Sequence, residues 1–291
     1  MPEMPEVQGL VDFLAERAAG LTITRASVSA ISALKTFDPP VTALPGSRVR
    51  GASRHGKFID LTLESDVEPR LHFVFHLAKA GGLRWYEELP TTLIRPGKSP
   101  IAMRVAFDDG SGFDLTEAGT KKSLAAYVVR DPSDVPGIAR LGPDPLDPSF
   151  TRDAFAALLD GRRTQIKGLL RDQGVIAGIG NAYSDEILHA ARMSPYASAG
   201  GLGADDVTRL YDALQTTLRD AVAAATGRPP ADLKDAKRRG MQVHGRRGET
   251  CPVCGDTVRS VFFADRSLEY CPTCQTGGKP LADRRLSRLL K

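Results

Sequence analysis

The chain has 291 residues, 42% of them hydrophobic and 25% charged, with a formal net charge of +4. That length supports two or three domains with substantial cores, and the composition excludes wholesale disorder. No apolar run approaches the roughly 18 residues of a membrane helix and no signal-like leader opens the chain, so a cytoplasmic protein with no membrane partner is expected.

Residues 1–20 begin with prolines and continue as an amphipathic helix (Val7, Leu10, Val11, Phe13, Leu14, Ala18) stopped by Gly20. From 21 to about 131 the pattern changes to short alternating or β-branched runs, at 21–28, 58–63, 71–77, 102–107 and 125–129, between Gly, Pro and Asp turns. That predicts a β-sandwich or barrel of about eight strands. The stretch Leu141-Gly-Pro-Asp-Pro-Leu-Asp-Pro148 reads as a linker, and helices are predicted at 152–159, 165–172, 181–191 and 205–226.

Three glycines lie in the segment 174–180, just before Asn181. The turn they predict lets backbone approach another molecule, and Asn181 with helix-start N–H groups is suited to a phosphate. A close helix crossing with a capping Asn explains the segment equally well.

The remainder is basic: residues 227–291 carry 14 Lys+Arg against 7 Asp+Glu, whereas the preceding 226 residues carry 25 against 28. Such asymmetry suits a polyanionic partner. All four cysteines fall here, as Cys251-x2-Cys254, 16 residues, then Cys271-x2-Cys274. Two knuckles of two thiolates complete a tetrahedral Zn2+ shell, and two disulfides would need an oxidising compartment. Strands at 258–263 and 268–270 make a hairpin between the knuckles.

Taken together, these segments resemble the formamidopyrimidine-DNA glycosylase/endonuclease VIII family almost end to end. The resemblance is carried by Met1-Pro-Glu-Met-Pro-Glu-Val7, Arg54-His-Gly-Lys57-Phe58, the 141–146 linker, Gln165-Ile-Lys-Gly-Leu-Leu-Arg-Asp-Gln173 with Gly178-Ile-Gly-Asn-Ala-Tyr-Ser-Asp-Glu186, and Gly245-Arg-Arg-Gly248 with the knuckles and Arg266. It implies an α+β multidomain chain: an N-terminal catalytic β-sandwich with its helix (1–134), a linker (135–149), a helix–two-turn–helix DNA-binding domain (150–227), and a four-cysteine zinc-finger hairpin with a basic tail (228–291). The partner implied is double-stranded damaged DNA, the cofactor one structural Zn2+, the location nucleoid-associated, and one copy suffices, so a monomer is expected.

Removing Met1 exposes the secondary amine of Pro2, an α-amino group titrating near ~8 rather than a lysine near ~10.4. Attack on C1′ of a deoxyribose gives an iminium ion directly. The resemblance makes Pro2 the nucleophile, Glu3 a general acid/base, and Glu6 a residue holding a water or the nucleophile. It makes Lys57, Asn181 and Arg266 phosphate clamps near the lesion. Arg163 and Lys167 are further phosphate candidates, though a solvated helix face explains them as well. Taken alone, Met-Pro-Glu is an ordinary start with Pro leading a helix.

Three departures bear on substrate. Lys79 stands where damage-searching members have a Met, and Thr120-Lys-Lys-Ser-Leu124 where they have an Arg–Phe pair, so lysines replace an apolar wedge. The histidine usual near Lys98-Ser-Pro100 is absent, and 232–245 is short for a loop that caps an oxidised purine. A substrate other than standard 8-oxoguanine is expected, with abasic-site cleavage the least demanding activity. The alternative is a relative that binds DNA lesions without excision.

Overall fold

The computed structural model describes residues 2–66, 68–95, 97, 99–118, 120–263 and 267–282. Helix α1 (Met4–Ala18) has Pro5 in its first turn, where a missing N–H costs nothing, and a capping box joining Glu3 and Glu6. Its stripe of Met4, Val7, Leu10, Val11, Leu14 and Ala18 is buried at the spacing of a helix face.

Eight strands follow, β1 (Ile23–Val28), β2 (Arg48–His55), β3 (Phe58–Glu64), β4 (Leu71–His76), β5 (Gly81–Tyr86), β6 (Ile101–Phe107), β7 (Gly112–Glu117) and β8 (Ala125–Val129). They form two four-stranded antiparallel sheets, ordered β2-β3-β4-β8 and β1-β6-β7-β5. Alternation puts Ile59, Leu61, Leu63, Phe73 and Phe75 of one sheet and Met103, Val105, Phe113 and Leu115 of the other into one core, where the Phe75 and Phe113 rings sit 6.0 Å apart. The sandwich is the architecture the strand pattern predicts. The expected number of about eight strands is met, though β2, β5 and β7 were not singled out, because their glycines and charges (Arg48 to His55 has three arginines) hide the alternation.

The chain divides into two compact units, residues 1–141 with 225–234, and 142–224 with 235–291. The returning segment reaches α1 at Gly9, where an added Cβ would lie 3.0 Å from Ala225 O and 3.1 Å from Leu233 Cδ2. In the second unit stand α2 (Arg152–Leu159), α3 (Ile166–Leu170), α4 (Asn181–Ala190) and α5 (Ala204–Ala225), with the hairpin β9 (Arg259–Phe262) and β10 (Ser267–Tyr270) and the short α7 (Pro272–Thr276). The helical pair turns through a segment pinned by Gln173, which donates to Arg171 O (2.9 Å) and Ile179 O (2.7 Å) and accepts from Gly178 N–H (3.0 Å). Gly142 lies against this turn so closely that a Cβ would meet Val175 C at 2.5 Å, which is why the linker has glycine there. The short stretch before the finger is not a loop: α6 (Leu233–Gly240) occupies it, rich in Lys and Arg. Among the described residues no helix is long and apolar enough to cross a membrane.

Candidate functional site

At the start of α1, Glu3 and Glu6 are 2% and 5% exposed, and Glu6 Oε2 accepts the Glu3 N–H at 2.8 Å. Pro2 is half-buried immediately before them. Two carboxylates are thus fixed next to the one residue whose nitrogen becomes a secondary amine when Met1 is removed.

Lys57 occupies a two-residue hairpin turn, Gly56-Lys57, in which Gly56 takes φ +57°, as a primed turn requires. Arg54 braces that turn to α1, its Nε donating to Gln8 Oε1 (2.9 Å) and its Nη1 to Gly56 O (3.1 Å). Lys57 is 8% exposed and lies near His76, whose ring stacks at a tilt on Phe58. Burial first, and the Lys57 charge second, push His76 down to about 4, so it is neutral at pH 7. His76 Nδ1 accepts the Ala78 N–H at 3.1 Å and opens the β4–β5 loop, on which Lys79 is exposed. This loop joins the β7–β8 loop through Ala118 N–H to Ala80 O (3.2 Å). There the buried Glu117 accepts the amides of Ser123 (2.8 Å) and Leu124 (3.1 Å), leaving Lys121 and Lys122 on the surface.

Behind the hairpin, His55 and His72 flank the buried Asp60, with His72 Nδ1 3.0 Å and His55 Nε2 3.3 Å from its oxygens. Burial alone would raise the Asp60 carboxyl, but hydrogen bonds with His55 and His72 more than offset it and hold it low. The same bond raises His72.

In the second unit Asn181 is the first residue of α4, behind a Gly180 that supplies no side-chain cap. Its Nδ2 donates to Ser267 O on β10 at 2.8 Å, while its Oδ1 is buried with no hydrogen-bond partner among the described residues. Arg163 is exposed in the α2–α3 connection. Lys167 differs from the expectation of a surface phosphate contact. It is 5% exposed, and its Nζ donates to Asp185 Oδ1 (2.6 Å), Ser184 Oγ (2.8 Å) and Asn181 O (3.2 Å). Spacing alone cannot tell an inward lysine on a short helix from an outward one. Arg266 and Lys98 lie outside the described residues.

The four cysteine sulfurs lie within 4.8 Å of one another and none is in a disulfide. Sγ–Sγ distances of 3.9 Å (Cys251–Cys274) and 3.3 Å (Cys254–Cys271) bracket the about 3.8 Å edge of a tetrahedron with Zn–S bonds of about 2.3 Å. Burial pushes the Cys271 thiol up to about 11 and raises that of Cys274, so thiolates there need a cation beside them. The donor set fits one structural zinc. A second cluster, Asp185, His244 and Glu269, also has metal-ligating residue types. There the Lys167 ammonium already neutralises Asp185, and His244 Nδ1 bridges Asp185 Oδ2 (2.8 Å) and Glu269 Oε2 (3.2 Å).

Sequence reasoning missed Asp185, Glu186, His189 and Gln275. Glu186 accepts the amides of Gln242 (2.7 Å), Val243 (3.0 Å) and His244 (2.8 Å), which anchors the segment leading into the finger to α4. A signal existed, since Asn181, Asp185 and His189 recur every fourth residue and so share one face of the helix.

Three family profiles match in order: the formamidopyrimidine-DNA glycosylase N-terminal domain over residues 1–122, its H2TH domain over 141–229, and the zinc finger found in FPG and IleRS over 248–277. The formamidopyrimidine-DNA glycosylase of Symbiobacterium thermophilum is 34% identical over 297 residues, covering 98% of this chain and 93% of its own length. A Mycobacterium tuberculosis protein described as an uncharacterized formamidopyrimidine-DNA glycosylase-like protein is 60% identical over 151 residues, 52% of this chain and 94% of its own. Among solved structures, Lactococcus lactis Fpg in complex with abasic-site DNA shares the fold, with a TM-score of 0.81 at 24% identity over 94% of this chain and 99% of that one. On sequence match along nearly its whole length, the chain belongs to the formamidopyrimidine-DNA glycosylase family.

Proposed function

We propose that the mature chain excises damaged bases from double-stranded DNA and cleaves the strand, with the Pro2 nitrogen as nucleophile. The observation that carries this is the pair of buried carboxylates fixed directly after Pro2, whose nitrogen becomes a secondary amine once Met1 is removed. The nitrogen lone pair forms a bond to C1′ while the sugar's bond to the base breaks, and Glu3 supplies the proton that the departing base or opening ring takes up. The amine proton is then lost and the C1′–O4′ bond breaks, its electron pair going to O4′, which takes up a proton, while the nitrogen lone pair completes an iminium at C1′. This acidifies C2′–H, so removal of that proton expels the 3′-phosphate, and water then hydrolyses the imine to restore Pro2.

Lys57, Asn181 and Arg266 serve as phosphate contacts, which offset the few kcal/mol needed to extrude a nucleotide. Bound zinc holds the four thiolates and thereby the shape of the finger. The lysines at 79, 121 and 122 attract phosphates but cannot fill the hole left by a flipped base, so abasic sites, where no base pocket is needed, make the least demanding substrate. One copy of the chain carries all these groups.

Incubation with abasic-site DNA and sodium borohydride should trap a covalent adduct through Pro2, and Pro2→Gly should greatly reduce it. DNA binding without any adduct, in protein whose N-terminus is shown to be Pro2, would overturn the lyase reading and favour a relative that only binds lesions.

A further inference from the structure

The polar stripe of α4 is connected to the zinc module along its length. Asn181 Nδ2 reaches Ser267 O (2.8 Å), Asp185 Oδ2 meets His244 Nδ1 (2.8 Å), and just past the helix Met193 O accepts from Gln275 Nε2 (3.0 Å). Between these, His189 Nε2 lies 3.3 Å from Cys251 Sγ. Both residues are buried, at 4% and 1% exposure, and the surroundings of the sulfurs include Val243 and Val258.

Four thiolates around one divalent zinc leave a net double negative charge, and the share carried by the buried Cys251 sits beside Val243 and Val258, where an unshielded charge is costly. A zinc-bound thiolate has no proton to give, so the contact can only run from ring to sulfur, which fixes the tautomer with hydrogen on Nε2. We infer that His189 is a positioning residue of the zinc centre, donating Nε2–H to the Cys251 thiolate and tying the metal's ligand shell to the helix that begins at Asn181. The bond spreads charge off the sulfur and holds its lone pairs in one orientation. This assignment rests on the cysteine cluster alone and does not depend on the lesion chemistry.

The test uses the full chain with His189→Phe, a ring without a donor, and His189→Gln, which carries an N–H at similar reach. In the cobalt-substituted protein, His189→Phe should move the thiolate-to-metal charge-transfer bands to lower energy. Its zinc affinity, measured by competition with a chromophoric chelator, should fall about 10–100-fold, the usual effect of losing an outer partner of a ligand. His189→Gln should restore band position and affinity together. Wild-type bands and affinity in the phenylalanine variant, or a glutamine variant as impaired as the phenylalanine one, would overturn the assignment. If the phenyl ring prevents folding, the flexible, donor-free His189→Met takes its place with the same two outcomes.

Discussion

Lys167→Met separates two roles that a lysine in this position can have. Its side chain is 7% exposed and that of its partner Asp185 0%, with Nζ–Oδ1 at 2.6 Å and further bonds to Ser184 and Asn181 O. Removing one member of a buried pair leaves the other charge uncompensated, at about 3–5 kcal/mol. Asp185 keeps its 2.8 Å contact with His244, which places the expected loss at the lower end, about 3 kcal/mol. For a unit of this size that corresponds to a fall in melting temperature of about 10 °C. Differential scanning calorimetry measures the fall, and amide exchange on α3 and α4 peptides locates it. The slope of log affinity against log salt should stay unchanged, because no phosphate contact is lost. An unchanged melting temperature with a slope reduced by about 0.9 would show instead that Lys167 faces a phosphate, and the interior assignment would be refuted.

Cys254→Ser removes one of four ligands from a site whose metal supplies much of a small module's folding energy. Zinc content should drop from one per chain and DNA affinity with it, as measured by metal analysis and anisotropy. Unaltered zinc and affinity would refute the metal assignment. The His72–Asp60 pair predicts a pH signature in the first unit, followed through the single tryptophan, Trp85, packed on Phe13 and Phe107. His72 is raised above 6.5, first by its hydrogen bond with Asp60. Its contribution is therefore complete below about 6.5 and fades as pH climbs through the raised value. Asp60 is held below 3.8, so its own contribution is present above that value and lost in acid. Asp60→Asn should abolish both trends in urea midpoints, and a variant midpoint that tracks wild type from about pH 6 to 8 would count against the pair.

Much of the fold was legible because its signals are local. The stripe of α1, the runs that became β3, β4, β6 and β8, and the cysteine knuckles need no knowledge of distant residues. β2 and β7 were hidden because their character is set by tertiary position. Gly51 sits at a register shift opposite β3, and Gly112 tolerates no Cβ, which would lie 2.3 Å from Val105 O. At the site, the four-cysteine zinc shell was readable from spacing and chemistry, the roles of Pro2 and Glu3 were expected only from the family resemblance, and the inward turn of Lys167 was not legible. The same amphipathic spacing serves a helix that points its lysine at solvent or at a buried aspartate, and only the packing of α3 on α4 decides. α6 was hidden for a related reason, since its mean composition is that of a charged loop.

The surface around Lys57 shows how rigid scaffolding and altered tips combine. Gly81 lies so near the backbone that a Cβ would be 2.1 Å from Leu77 O, and its amide bonds that same carbonyl at 2.9 Å, so the β4–β5 loop closes tightly at a position that admits only glycine. Glu117 fixes the neighbouring loop through its two amide bonds. Such anchoring suits a device that must hold its tips in place against a strand. Yet the tips are lysines, whose attraction to phosphate is long-ranged, weakened by salt and indifferent to base identity, whereas an apolar wedge acts by contact within the stack. A chain built this way gains most from DNA whose stack is already interrupted, because there the cost that a wedge would offset does not arise. It is the chemistry of these tips, lysines in place of an apolar wedge, that supports the proposal of abasic DNA as substrate.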